Sequence, residues 1–459
     1  MAGQASALSV VMLVALLAAW PSVVGAKGQD FLTAEKRAAD FAGFCAFVGE
    51  SYAYFDLKAT DWTQVCAHHA PQAAAATQRH DYIAVLERAL GELYDPHAHL
   101  GTNTPRSYRL VPSQTDLFAR WQDGKAIIAA VRAGSGAAAA GVLPGMEVVA
   151  LNGESIQDAV LAIEPKFLAR ADASARDWAL QVALAGAHDH EVTRLLARMD
   201  GGLRALEFAP RYPQPSSTLS SRAIGTVGHV RIHNALGQQA LVQDFDQALS
   251  QLQDMRALVI DLRDTPSGGN STVARGIMGR LVDRMLPYQR HELVSEFRAN
   301  GIRRVWTEYV APRGTPYMKP IVVLVGRWTG SMGEGLAIGL HATRGAAVLG
   351  QPMAKLLGAN GETVLPHSNI VVRVPVEKLF HVDGTPREAV LPCLTAAARG
   401  DAATQDAELG AAVALALRLI DSQAVPLLQP GCLGPRPARA VEPEGAAARL
   451  LPESAETHR

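Results

Sequence analysis

Cysteine is scarce in this chain. Only four occur in 459 residues, Cys45, Cys66, Cys393 and Cys432. None forms a C-x-x-C pair or stands beside two histidines at ligand spacing, which excludes the common structural zinc sites. Surplus charge is missing too. A net charge of -1 provides no basic field for nucleic acid or an anionic membrane. Long apolar runs are also lacking. The run at residues 8–19 is too short to span a bilayer comfortably, and no later segment does better. What remains is a composition of 48% hydrophobic and 19% charged residues, that of a globular protein. The length calls for two or three domains.

The short apolar run has its own reading. Pro21 follows it, and then Val24-Gly25-Ala26, a small-residue cleavage site. Residues 1–26 therefore read as a secretory signal peptide cut after Ala26, although Lys and Arg are absent before Lys27. The mature chain is expected to be periplasmic or secreted, with no membrane contact after cleavage. An even cysteine count in an exported chain permits two disulfides. Of the three connectivities, the local one, Cys45–Cys66 with Cys393–Cys432, is the simplest.

Residues 319–340, KPIVVLVGRWTGSMGEGLAIGL, organise the rest. The run 321–325 is apolar without interruption and rich in β-branched residues, as in a strand buried on both faces. A glycine-bounded turn, 326–330, leads into an apolar helical face at Leu336, Ala337, Ile338 and Leu340. Ser331 falls at the junction. There a hydroxyl is accessible beside the free N–H groups of a first helical turn, as a nucleophile with an oxyanion site requires. A serine at that place is also a favoured helix cap.

Three other stretches bear on that choice. Residues 29–95 show helical spacing, with the last helix expected to end at Asp95-Pro96, and residues 27–104 are expected to form an N-terminal helical domain. His97 and His99 follow; in an extended segment both would share one face, and either suits a general base. Two histidines alone make a poor metal site. Residues 105–210 change to short strands, with Gly141-Val142-Leu143-Pro144-Gly145 and the turn Asn152-Gly153. This pattern resembles a PDZ domain, with Met146 at the usual aspartate position and residues 116–119 in place of the usual carboxylate-binding loop. PDZ domains bind extended peptides by strand addition. After a Pro/Ser-rich linker at 211–222, strands and helices alternate from 223 to 420. Strands are expected at 228–234, 256–263 and 346–350, and helices at 240–252 and 271–285, giving a mixed α/β sheet. The turn at 264–270, DTPSGGN, places Gly268 and Gly269 at the end of a buried strand, where backbone N–H groups can approach a ligand. The tail, 421–459, is rich in Pro, Ala and Glu; its last part is expected to be disordered.

The order Tyr-x-Tyr-Phe-x-x-Lys…Asp-Trp (from Tyr52), Leu-x-Asp-x-His (from Leu93), the PDZ-like segment, Gly-x-Val-Arg-Ile (from Gly228), Ile-Asp-Leu-Arg-x-x-x-x-Gly-Gly (from Ile260) and Val-Leu-Val…Ser-x-x-Glu (ending at Glu334) resembles the carboxy-terminal processing protease and tricorn core protease family of serine peptidases. The resemblance runs from about Phe31 to Leu394. It implies a ClpP/crotonase-like α/β core and an exported serine endopeptidase acting on proteins or peptides. It implies Ser331 as nucleophile, with Met332 and Gly268 or Gly269 holding the oxyanion. It implies no cofactor and no metal. Processing proteases use a lysine base, for which Lys355 is the nearest match, flanked here by Ala354 and Leu356 instead of glycines. Tricorn-like members use the histidine of Asp-x-His, here His97, with a distant glutamate for which Glu388 is placed. The serine that precedes that histidine is replaced by Pro96. The expected set is Ser331, His97 and Glu388, with His99 and Lys355 as reserve bases. A non-catalytic relative binding peptide or lipid is the alternative.

Overall fold

The computed structural model describes residues 31–212, 215–393, 406–421 and 431–435. The expected signal peptide and most of the expected tail lie outside these residues. The fold is mixed α/β, with a helical N-terminal region and three sheets.

The central sheet is built on the run that dominates the sequence. Strand Ile321–Val325 pairs in parallel with Ala257–Asp264 on one side and with Ala347–Gly350 on the other. Beyond Ala257–Asp264 come Val227–His233, also parallel, and Leu219–Ile224, antiparallel at the edge. Leu219 lies inside the predicted linker, whose last residues are therefore strand. The continuous apolarity has a direct cause. Ile321, Val323 and Val325 pack with the helices Ala240–Gln251, Ser271–Met278 and Met332–Arg344. Val322 and Leu324 pack on the opposite face against Leu409, Ala412 and Leu415 of helix Ala407–Ile420. Each such side chain contributes roughly 1.5–3 kcal/mol by leaving water. The helix expected over 271–285 stops at Met278, because Gly279 caps it and a strand starts at Leu286.

A second sheet stands beside the first. Its order is His99–Leu100, Val371–Phe380, Leu286–Leu293 and Arg304–Val310, with Ala359–Val364 also on Val371–Phe380. The helices Ala34–Ser51, Trp62–Ala75 and Arg79–Gly91 pack against this sheet. Their buried Phe44, Tyr52 and Leu86 share one core with Val372 and Val374. Thr33 and Asp61 cap two of the three helices, each accepting a first-turn N–H.

The segment at 105–210 forms a separate six-stranded antiparallel sheet. Its order is Leu117–Gln122, Lys125–Val131, Glu147–Leu151, Thr193–Met199 and Gly202–Phe208, with Glu154–Ser155 on the third strand. Helices Ile156–Ile163 and Ala173–Ala185 supply Ile156, Val160 and Leu180 to its core. Two disulfides are present, Cys45–Cys66 and Cys393–Cys432, the local pairing. The first joins two N-terminal helices. The second fastens the segment at 431–435 to the rim of the central sheet, where Cys393 pairs with Leu349.

Candidate active site

Two turns meet at the C-terminal end of the central sheet. Thr265, after strand Ala257–Asp264, bridges Thr329, after strand Ile321–Val325. Thr329 Oγ1 donates to the Leu262 carbonyl at 2.8 Å, and Gly330 N–H donates to the Thr265 carbonyl at 3.2 Å. This lacing holds the glycine turn against the start of helix Met332–Arg344. Gly268 has φ +62°, and a Cβ there would lie 2.4 Å from Ser331 Cβ and 2.6 Å from Met332 N. Only glycine permits so close an approach.

Ser331 itself has φ +51° and ψ -116°, an unfavourable region for a residue with a Cβ. Its N–H donates to Glu334 Oε2 at 2.9 Å, which offsets part of that strain. The side chain reaches into a cleft of about 680 Å³, lined among others by His97, Gly269, His291, Trp306 and Glu377.

His97 comes to Ser331 from 234 positions away, with Nε2 3.2 Å from Ser331 Oγ. The preceding helix stops at Gly91, short of the expected Asp95-Pro96 end, because Glu92 caps it; the buried Asp95 side chain accepts the His97 N–H at 2.9 Å and the Tyr52 hydroxyl at 2.8 Å. Asn360 Nδ2 donates to the His97 carbonyl at 2.9 Å. The ring nitrogen Nδ1 lies 2.6 Å from the Leu357 carbonyl oxygen. A carbonyl only accepts, so Nδ1 carries the proton. Nε2 is then a lone pair facing the serine hydroxyl, which is the tautomer a general base needs. Enclosure of the ring pushes its pKa down to about 4, against the favourable pull of the Leu357 carbonyl. The imidazole is therefore neutral across the physiological range.

The other expected residues are placed as follows. Glu388 lies in the turn Arg387–Ala389, outside the cleft lining, and makes no hydrogen bond to His97, whose Nδ1 is occupied by the Leu357 carbonyl. Its Oε2 is buried without a partner among the described residues, and burial raises its pKa. Lys355 is exposed and lines a neighbouring cavity instead. It lacks the enclosure a lysine base requires. His99 lines the cleft, but its Nδ1 lies against its neighbour's carbonyl, Leu100 O, at 2.9 Å. Only His99 is in a strand; His97 sits in the preceding turn, so the shared-face geometry does not hold. No group of three potential metal ligands gathers among the described residues. Of the glycines, Gly268 donates its N–H to the Thr265 carbonyl at 3.1 Å. Gly269 lines the cleft, as does Met332.

Some neighbours had no signature in the sequence. The Leu357 carbonyl belongs to a backbone group, which residue identity does not reveal. Across the cleft, Glu308 and Glu377 hold the His291 imidazole above its ordinary value despite its burial. His291 Nδ1 is 2.8 Å from Glu377, and the ring stacks on Trp306 with centroids 4.9 Å apart.

Comparison with known proteins bears on the fold that carries these residues. Residues 226–392 match the model of peptidase family S41, and residues 33–91 match the tricorn protease C1 domain. Among solved structures, mature CPAF complexed with lactacystin aligns with a TM-score of 0.55 at 16% identity, covering 85% of this chain and 99% of that one. The photosystem II D1 C-terminal processing protease aligns with a TM-score of 0.51 at 17% identity, covering 79% and 94%. These are likenesses of fold. No curated protein matches by sequence.

Proposed function

From the premise that residues 226–392 form a peptidase family S41 domain, we propose that the chain is an exported serine endopeptidase with Ser331 as nucleophile and His97 as general base. The carrying observation is the 3.2 Å contact between Ser331 Oγ and a His97 Nε2 that is free to accept a proton. In this reading His97 removes the hydroxyl proton as Ser331 attacks a peptide carbonyl. It then returns that proton to the leaving amine. The Met332 and Gly269 N–H groups hold the oxyanion. The Leu357 carbonyl takes the place of a carboxylate as the group that orients the base. The PDZ-like sheet recruits extended polypeptide, and the two disulfides fit an oxidising compartment.

The test is hydrolysis of casein by the wild type and by Ser331→Ala, with products identified by mass spectrometry. Loss of kcat/KM by roughly four to six orders of magnitude, and internal cleavages in the wild-type products, are expected. Unchanged hydrolysis in Ser331→Ala would remove Ser331 from the mechanism. No hydrolysis by the wild type, combined with saturable peptide or lipid binding, would replace the peptidase reading with a binding protein.

A further inference from the structure

Glu334 lies one turn into the serine's helix, with 1% of its surface exposed. Three backbone N–H groups from two separate elements converge on its carboxylate. Ser331 N donates to Oε2 at 2.9 Å, Lys355 N to Oε1 at 2.8 Å and Leu356 N to Oε2 at 3.1 Å. The next carbonyl along the chain is that of Leu357, the acceptor of His97 Nδ1. Buried Arg387 closes the loop from the other side, donating Nη2 to the carbonyls of Leu356 and Gly358 at 2.8 and 2.9 Å. Every hydrogen bond just quoted around Leu357 therefore leads to Glu334, Arg387 or the base.

We propose that Glu334 is a positioning residue that ties the nucleophile and the orienting carbonyl of the base to one buried carboxylate. The proposal rests on the reading of Ser331 and His97 given above. The arrangement solves a physical problem. A backbone carbonyl orients a histidine only as well as its loop is fixed, and a serine at φ +51° keeps its place only if something holds its N–H. One ionised carboxylate does both, because its two oxygens accept all three N–H groups. A protonated carboxyl has fewer acceptor sites and presents an O–H to a donor. The link then loosens at the serine and at the loop together.

This gives the site a pH dependence separate from that of its base. Burial pushes Glu334 up to about 6, against the opposing pull of Arg387 and the three N–H groups. Arg327, in the turn before Ser331, also faces it. The strand Leu286–Leu293, packed on the same helix, places Gln289 beside Gly335 and carries His291, whose pKa Glu308 and Glu377 raise against the effect of its burial. On acidification Glu334 therefore protonates before His97, which is held at about 4.

The experiment is kcat and KM against pH for the wild type, Glu334→Gln, Glu334→Asp and Ser331→Ala. Thermal unfolding is recorded for each. Wild-type kcat is expected to fall with a midpoint near the Glu334 value of about 6. In Glu334→Gln, kcat at alkaline pH drops by about 10- to 100-fold with little change in KM, as expected of misplacement. The step near 6 disappears, leaving only the more acidic fall of His97. Glu334→Asp keeps a titrating carboxylate and so keeps an acid step, with reduced kcat. It also serves if Glu334→Gln shows no cooperative unfolding. A Glu334→Gln enzyme with wild-type kcat and the same acid midpoint, or a Glu334→Asp enzyme with wild-type kcat, would overturn the proposal while Ser331→Ala stayed inactive. Activity in Ser331→Ala would instead overturn the underlying reading.

Discussion

Arg132 and Asp264 form an ion pair of 2.8 Å, with side chains only 5% and 6% exposed. Arg132 comes from the end of strand Lys125–Val131 in the six-stranded antiparallel sheet. Asp264 ends the central strand that carries the glycine turn. Arg132 also donates to the Ser113 carbonyl, and Trp328, three residues before Ser331, donates to the Thr115 carbonyl at 3.0 Å. The six-stranded sheet is thus fastened to both turns at the cleft. Removing one partner of a buried pair leaves an uncompensated charge and costs about 3–5 kcal/mol. Arg132→Ala is expected to lower stability by that order and to reduce kcat. Arg132→Met combined with Asp264→Asn should recover most of the stability. Urea unfolding and steady-state kinetics on the three proteins check this; an Arg132→Ala protein as stable as the wild type contradicts it.

The identity of the base makes a second comparison. His97 has the contact, the tautomer and the neutral charge, whereas Lys355 is solvated outside the cleft. His97→Ala should reduce kcat by roughly three orders of magnitude or more. Lys355→Ala should leave kcat within about twofold, because its exposed side chain is not part of the link and its N–H bond to Glu334 persists. His99→Ala should change kcat far less than His97→Ala, and its cleft position makes KM the parameter that moves. The reverse ranking of His97 and Lys355 would reassign the base.

Much of this was legible because the signals were local. The run 321–325 could only be a strand buried on both faces, and the glycine turns at 268 and 330 follow from close approach. The Asp-x-His element lies at the cleft, with His97 Nε2 3.2 Å from Ser331 Oγ. Other features were not legible. The strands Leu286–Leu293 and Arg304–Val310 carry Arg290, Glu292, Arg304 and Thr307 on a half-solvated sheet, which hides an alternating apolar pattern. The orienter of His97 was sought among carboxylates, and the family resemblance placed Glu388 in that role. The structure uses a backbone carbonyl 260 positions from His97, and no residue type encodes that. Nothing in the sequence marks the bonds of Glu334, because two of its three donors are backbone groups of a distant loop.

Glu388 gives a third prediction, opposite in sign to what the sequence suggested. Since the Leu357 carbonyl already holds His97 Nδ1, Glu388→Gln should leave kcat, KM and the pH profile near those of the wild type. Its buried, unpartnered Oε2 makes the carboxyl a burden on stability. The amide is therefore expected to raise the thermal midpoint slightly. A large loss of kcat without loss of fold would restore Glu388 to the mechanism, acting through a group between it and His97.

The disulfides should affect stability and not chemistry. They close loops with sequence separations of 21 and 39 residues. Chain-entropy arguments assign about 3–4 kcal/mol to loops of that size. Cys45→Ala with Cys66→Ala should lower the unfolding free energy by that order, with unchanged kcat for the folded fraction. Neither cysteine lines the cleft. Denaturation with and without reductant checks the same quantity; equal midpoints would show that the bonds add nothing.

The glycine turn allows the most direct structural test. At Gly268 an alanine would both occupy a left-handed backbone position and drive its Cβ to 2.4 Å from Ser331 Cβ. Real Cβ atoms do not approach so closely, so either the turn or the serine must move. Motion of the serine breaks the 3.2 Å contact with His97, and motion of the turn displaces Gly269, whose N–H is proposed to hold the oxyanion. Both routes lower kcat, by roughly 100-fold or more for a displacement of about 1 Å. Gly124, by contrast, has φ +76° but open space around it. Gly124→Ala carries similar backbone strain far from the site and should cost stability without affecting kcat. Comparing the two variants for kcat and for the rate of fluorophosphonate labelling separates loss of site geometry from general destabilisation. Equal kcat in the two would mean that the turn at Gly268 does not set the position of Ser331.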